Sequence, residues 1–306
     1  MISDEYSGAW SLSRSHHGNA LTVYAPGMFV YNGIRGKYQA VSVTAEECAL
    51  NCEHCKGLLL RSMPKAQTPE TLLEYALSAQ KRGDIGILVT GACNAEGLLP
   101  WDIFADTISE IKNSTNHKVS IHPGQLDAKT ARLLKKSGVD QALVDVVGSD
   151  KTARGVYHLN NAVTSIVQTM DALSEVGIEI APHIIIGIHF GRIVGEYDAL
   201  DIIKRYPLRK YVVVVLNPMK QTPMEKITPP APAEVGKFLI EARSAMPGVL
   251  ASLGCARPGG KYRERVDMIA VKAGINSIAV ASDKALELAR SRGLELKFES
   301  SCCSVN

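Results

Sequence analysis

Hydrophobic and polar positions along this chain alternate between two periods. Short, nearly continuous apolar runs occur at 39–44 (QAVSVT), 85–91 (IGILVTG), 118–124 (KVSIHPG) and 141–148 (QALVDVVG), then at 178–187 (IEIAPHIIIG), 211–218 (YVVVVLNP), 249–255 (VLASLGC) and 276–282 (NSIAVAS). Runs of this kind suit strands of a parallel sheet buried on both faces. Between them the period lengthens to that of a helix. Segment 68–83 starts with Thr68 as a cap and Pro69 in the first turn, and stops at Gly83. In 161–177, Val163, Ile166, Val167, Met170 and Leu173 share one face and Gly177 ends the helix. Further helices fit at 102–113, 127–137, 196–205, 232–245, 260–273 and 283–292. About eight strands and eight helices in strict alternation predict an α/β fold, a (β/α)8 TIM-type barrel, with a doubly wound open sheet as the alternative.

The pattern divides the chain into three parts. Residues 1–38 precede the first run, and ALTVYAPGMFVYNG reads as a β-hairpin around Pro26 and Gly27. Residues 39–293 form the barrel, and 294–306 form a tail carrying Cys302 and Cys303. TPPAP at 228–232 is a stiff loop rather than a linker. Composition adds little: 46% hydrophobic and 21% charged residues are ordinary for a globular chain of 306 residues. A formal net charge of +3 is too small to imply general nucleic-acid binding. No apolar stretch approaches the ~20 residues of a membrane span, and the first residues carry no apolar signal core. A cytoplasmic protein is expected. Seven cysteines, an odd number in a long chain, argue against a disulfide framework and for metal or redox chemistry.

Three of the seven follow the first strand directly: Cys48-Ala-Leu-Asn-Cys52-Glu-His-Cys55. Three thiolates on one loop can hold three irons of a cubane cluster and leave the fourth open. Zinc would need a fourth ligand, and His54, wedged between two cysteines, is sterically awkward for it. The spacing resembles the hallmark of the radical S-adenosylmethionine enzymes, C-x3-C-x-Φ-C after the first barrel strand, with His54 at the usually aromatic position. The resemblance implies a [4Fe-4S] cluster on Cys48, Cys52 and Cys55. It also implies S-adenosyl-L-methionine on the open iron, cleaved reductively to a 5′-deoxyadenosyl radical that takes hydrogen from an unactivated carbon. It further implies cofactor contacts at Gly91, Ala92 and Glu96 after the second strand, at Gly187 after the fifth and at Asn217 after the sixth. Each glycine there also reads as an ordinary βα turn, and Asn217 as a turn starter before proline.

Cys93 follows the second strand and Cys255 ends the seventh, so both fall on the same end of the barrel as the first three. The last helix runs ~15 Å away from that end, and the extended segment 294–300 is long enough, at ~23 Å, to bring Cys302 and Cys303 back. A second iron–sulfur cluster is therefore expected on Cys255, Cys302 and Cys303, with Cys93 fourth and Ser301 as its substitute. Adjacent residues of an extended chain point opposite ways, so the tail must turn for both cysteines to share one group. The combination is similar to the sulfur-inserting members of the family, biotin synthase and above all lipoyl synthase of the two-component type. This implies a radical sulfurtransferase acting on an octanoylated lipoyl-carrier protein or peptide, with a paralogous partner and a ferredoxin-like electron donor. Arg192, Lys220 and Arg257 are the candidates for substrate contact, while His183 reads as a satisfied barrel residue. Another radical enzyme, such as a mutase, methylase or cofactor maturase, or a non-catalytic iron–sulfur scaffold, remains open at this level.

Overall fold

The computed structural model describes residues 4–305. Helix α1 (Asp4–His17) is followed by strands β1 (Ala20–Tyr24), β2 (Val30–Tyr31) and β3 (Ile34–Arg35). Then come β4 (Tyr38–Ser42), the short α2 (Leu58–Arg61), α3 (Pro69–Lys81), β5 (Gly86–Thr90), α4 (Trp101–Ser114), β6 (Lys118–Ile121), α5 (Ala128–Lys136) and β7 (Gln141–Asp145). A one-turn α6 (Asp150–Thr152) runs into a π-turn (Ala153–Tyr157), then α7 (Ala162–Glu175), β8 (Glu179–Ile186), α8 (Glu196–Ile203) and β9 (Lys210–Val215). The chain closes with α9 (Pro232–Ala245), β10 (Leu250–Leu253), α10 (Gly260–Lys272), β11 (Ser277–Ala279), α11 (Asp283–Ser291) and β12 (Glu295–Glu299).

All eight expected barrel strands form, as β4 to β11, and pair in parallel in sequence order. Two further parallel strands extend the sheet to ten: β1 pairs with β11, and β12 pairs with β1. The sheet curls until its two edges meet at one backbone contact, where the Lys37 N–H donates to the Ser300 carbonyl (2.7 Å). The N-terminal expectation needs correcting here. Residues 20–24 do not form a hairpin around Pro26 and Gly27. They join the main sheet, because LTVY is apolar enough to be buried there, and the hairpin is the two-residue pair β2–β3 beyond it. Helix α1 escaped the sequence reading because its polar residues mask the apolar side that packs on α9 and α10.

The helix boundaries follow from local chemistry. Thr68 caps α3 by accepting from the Thr71 N–H, with Pro69 at its first position, and Leu72, Ala76 and Ala79 are fully buried one turn apart. On α4, Trp101 and Phe104 are fully buried, and the indole N–H donates to the Pro123 carbonyl (2.8 Å). Every residue of β4, β5 and β9 is buried, as continuous apolar strands between a lumen and a helical layer require.

Candidate active site

The loop between β4 and α2 is folded around its cysteines. The Cys55 and Lys56 N–H groups both donate to the Cys52 carbonyl (3.2 and 2.9 Å), and Leu58 donates to the Cys55 carbonyl (2.8 Å). Gly57 sits at φ +72°, where a side chain would lie 2.9 Å from the Glu46 carbonyl. The π-turn holds the loop from outside: the Glu53 N–H donates to the Val156 carbonyl (2.8 Å), and His158 contacts both the Leu50 carbonyl (2.7 Å) and the Glu53 carboxylate (3.0 Å). Glu53 also pairs with Lys56 at 2.8 Å.

This clamp brings ligand atoms of Cys52, His54 and Cys55 within 4.8 Å of one another. A hydrogen bond with Cys52 holds the Cys55 thiol well below the ordinary thiol range and pushes Cys52 up, with burial adding to the rise at Cys52. Cys48 lies beside them, its thiol 3.8 Å from the Cys93 carbonyl. Thiols without a carboxylate make a soft donor set that fits an iron–sulfur group. The steric objection to His54 does not hold, because a ring nitrogen of His54 lies within 4.8 Å of the Cys52 and Cys55 thiols; its Nδ1 is buried without a hydrogen-bond partner. The Tyr157 ring lies 5.2 Å from the His54 ring, and its hydroxyl is also buried without a partner. Two orphaned polar atoms beside three thiols are what a site shaped for a further group leaves behind.

A cavity of about 300 Å³ opens from the cysteine loop across the ends of β5, β6 and β7. Its walls are mostly apolar, including Leu60, Met63, Leu143, Val147 and Ile166, with a polar patch of Thr90, His122 and Asp145. His183 stands beside that patch, edge-on to His122 at 6.3 Å between ring centroids. Burial pulls His183 down to about 4, with Asp145 opposing it, and lowers His122 as well. His122, Asp145 and Tyr157 were missed in the sequence, where nothing but their position at or beyond strand ends marks them.

The other expected site residues divide. Gly91 lines the cavity, and a side chain there would lie 2.7 Å from Thr44 Oγ1, which accepts from the Ala92 N–H. Glu96 is exposed and does not line the cavity, and its N–H donates to the Asn94 side chain (3.1 Å). Gly187 is a tight turn at φ +80° against Pro230, with its N–H donating to buried Glu196 (2.8 Å). Asn217, Arg192 and Lys220 are exposed on loops beyond β8 and β9. Arg257 is turned into the protein and does not line the cavity. It is 1% exposed and forks onto Asp267 (2.6 and 3.1 Å), with further bonds to the Gly254 and Ala279 carbonyls (2.6 and 2.9 Å).

Cys93 belongs with the first group, not with the tail, because β5 neighbours β4. Its carbonyl accepts from the Ala49 N–H (3.0 Å), and burial pushes its thiol up to about 12, with Cys48 adding to the rise. The tail does return to the barrel, and it goes beyond the mouth into the lumen. A turn closed by the Val305 N–H on the Cys302 carbonyl (3.1 Å) lets Cys302 and Cys303 share one neighbourhood. Cys303 is buried in a cluster with Tyr24, Val212, Val214 and Ala279, with Cys255 and Cys302 packed against it. The thiols form a hydrogen-bonded chain, Cys255 to Cys303 to Cys302, which lowers both ends and raises the middle. Cys302 Sγ continues it to Ser304 Oγ at 2.9 Å, and next to them the Ser301 hydroxyl is buried without a partner. Three thiols and an orphaned hydroxyl make a second soft donor set.

The profile of the Radical SAM superfamily matches residues 42–205, which include the first cysteine loop and the cavity. Biotin synthase of Salinibacter ruber (strain DSM 13855 / M31) is 24% identical over 244 residues, 78% of this chain and 63% of that protein. Biotin synthase of Leptospira interrogans (serogroup Icterohaemorrhagiae, serovar copenhageni, strain Fiocruz L1-130) is 25% identical over 145 residues, 46% of this chain and 41% of that protein. The chain thus spans 41% to 63% of the length of these two relatives. Among solved structures, HydG, a maturase of the [FeFe]-hydrogenase, superposes with a TM-score of 0.65 at 17% identity, covering 95% of this chain and 67% of that one. Methylornithine synthase (PylB) gives 0.62 at 12% identity, covering 95% and 88%. At these identities the structural likeness speaks for the fold.

Proposed function

The chain belongs to the Radical SAM superfamily, and from that premise we propose that it is a sulfur-inserting enzyme of the lipoyl synthase type, acting on a protein-bound octanoyl chain. The observation that carries this reading is the second donor set: Cys255, Cys303 and Cys302 meet inside the same barrel whose first loop carries Cys48, Cys52 and Cys55. The family relation implies a [4Fe-4S] cluster and S-adenosyl-L-methionine at the first set, which when bound supply a carbon radical able to take hydrogen from an aliphatic C–H. The second set would hold an auxiliary iron–sulfur cluster as the sulfur source.

The chain's own residues do the rest. Cys48, Cys52 and Cys55 bind, with His54 and Tyr157 flanking them. The apolar walls formed by Leu60, Met63, Leu143, Val147 and Ile166 exclude water and suit an alkyl chain, which has no polar group to satisfy. Thr90, His122 and Asp145 offer hydrogen bonds at one side, where a nucleoside could be oriented. Arg192 and Lys220 would meet the carrier domain that delivers the chain, and their exposure on loops beyond β8 and β9 supports this. A ferredoxin-like donor would supply electrons, and a paralogous partner would add the second sulfur.

Incubating anaerobically reconstituted protein with S-adenosylmethionine, a reductant and an octanoyl-lysyl peptide tests this directly. Mass spectrometry should find a peptide heavier by one sulfur. Formation of 5′-deoxyadenosine without any sulfur adduct would transfer the chain to another radical chemistry on the same fold.

A further inference from the structure

The floor of the barrel grips the end of the chain. Four side chains from four strands bond three consecutive main-chain carbonyls of the tail. Ser252 on β10 donates to the Cys303 carbonyl (3.1 Å), and Gln141 on β7 to that of Ser304 (3.0 Å). Lys210 on β9 (2.8 Å) and the Tyr24 hydroxyl on β1 (3.2 Å) both donate to that of Val305. Barrel interiors are ordinarily filled by layers of branched apolar side chains, so four donors aimed at one tail form a dedicated seat.

One of the four is charged. Lys210 is 3% exposed, and its contacts are the Val305 carbonyl, the Tyr24 hydroxyl (3.1 Å) and the face of the Tyr24 ring (4.9 Å). All are neutral, and among the described residues no carboxylate stands within ion-pair distance. The other ionisable side chains whose charge acts on it are Glu179, on the adjacent β8, and Lys118, on β6, of opposite sign. A buried ammonium without a counter-charge is costly, and such groups are ordinarily paired. Cys302 and Cys303 belong to the turn whose Val305 carbonyl Lys210 holds, and negative charge on their thiols favours the charged form of Lys210. Thiols that hold a metal do so as thiolates.

We propose that Lys210 is the charge partner of an anionic metal–thiolate group held by Cys255, Cys302 and Cys303, and the residue that positions the tail for it. The proposal rests on the sulfur-insertion reading only for the identity of that group. A nearby cation favours the more negative, reduced form, so it raises the group's reduction potential.

The test uses the full chain reconstituted with ferrous iron and sulfide, with Lys210→Met, Lys210→Arg and Tyr24→Phe compared with wild type. Wild type should hold about eight irons per chain, the sum of two cubanes. Lys210→Met should lose up to half of them, or keep them with a lower midpoint potential for the second cluster in an electron paramagnetic resonance titration. Lys210→Arg should restore both. Tyr24→Phe removes a tail donor without touching charge and should leave the potential where it was. The charge role is overturned if Lys210→Met keeps wild-type iron and potential, or if Tyr24→Phe shifts the potential equally. Thermal melts separate misfolding from loss of iron, and any folded fraction of Lys210→Met still reports a potential. About four irons in wild type would overturn this proposal together with the sulfur reading, because no second group would exist. The expected Lys210 effects without a sulfur product would leave this proposal standing and remove only that reading.

Discussion

The two thiol groups of this protein are built in opposite ways. Cys48, Cys52 and Cys55 lie within eight residues of one loop, and hydrogen bonds within that loop, together with the clamp of Glu53, Lys56 and His158, shape them. Cys255, Cys302 and Cys303 come from a strand end and a tail, and four side chains of the barrel floor hold the tail in place. The first group is a local motif that the barrel merely orients. The second exists only once the barrel has closed around its own end. A local site tolerates remote change and fails when one ligand goes, whereas an assembled site is exposed to every element that assembles it.

The largest effect should come from the local site. Cys52→Ala should reduce 5′-deoxyadenosine formation more than about 1,000-fold while any iron held by the tail thiols is kept, since ligands acting as a unit are not replaceable one by one. Iron analysis and product quantification check this, and near-normal cleavage would detach the loop from the chemistry. Next, on the proposed second cluster, Cys302→Ala with Cys303→Ala should remove about half of the iron and any sulfur transfer, while S-adenosylmethionine is still cleaved. Loss of both iron groups together would show that the two regions are not separable.

A stability effect follows in size. Arg257→Leu leaves Asp267 buried and uncompensated, and should cost about 3–5 kcal/mol in denaturant melts. Asp267 is fully buried and also accepts from the Ser282 N–H (2.9 Å), so the loss reaches the chain that leads into α11. A smaller, acid-dependent effect should appear on the cavity side. Burial holds His183 down to about 4, below the 6.5 of a free histidine. The unfolded chain therefore binds a proton that the folded one refuses, and stability should fall as pH drops from 6.5 towards 4. Replacing His183 by Gln should flatten that part of the melt-versus-pH curve, and parallel curves would sink the idea. Smallest of all, Glu96→Gln should change stability by no more than about 0.5 kcal/mol, as an exposed side chain outside the cavity.

Particular residues show how far a linear reading reaches. The eight barrel strands and eight of the helices were legible because each carries its own period, from the continuous YVVVVL run of β9 to the Thr68–Pro69 start of α3. Helix α1 and the insertion of β1 were not, since both depend on surfaces presented by distant elements. Arg257 read as a candidate for substrate contact because it follows Cys255, and the approach of Asp267 from α10 makes it an internal anchor. Cys93 and Cys255 looked equivalent at strand ends, yet strand order puts one beside β4 and the other beside β9 and β11.

The sequence by itself determined the alternation that makes a barrel and the cysteine spacing that makes the first site, because both are short-range properties of consecutive residues. It also showed that the tail was long enough to return. Only the tertiary structure decided where that tail goes and which thiols it meets. The reason is physical: the lumen that receives Cys302 and Cys303, and the buried Lys210 beneath them, come into being only when ten strands curl into one wall.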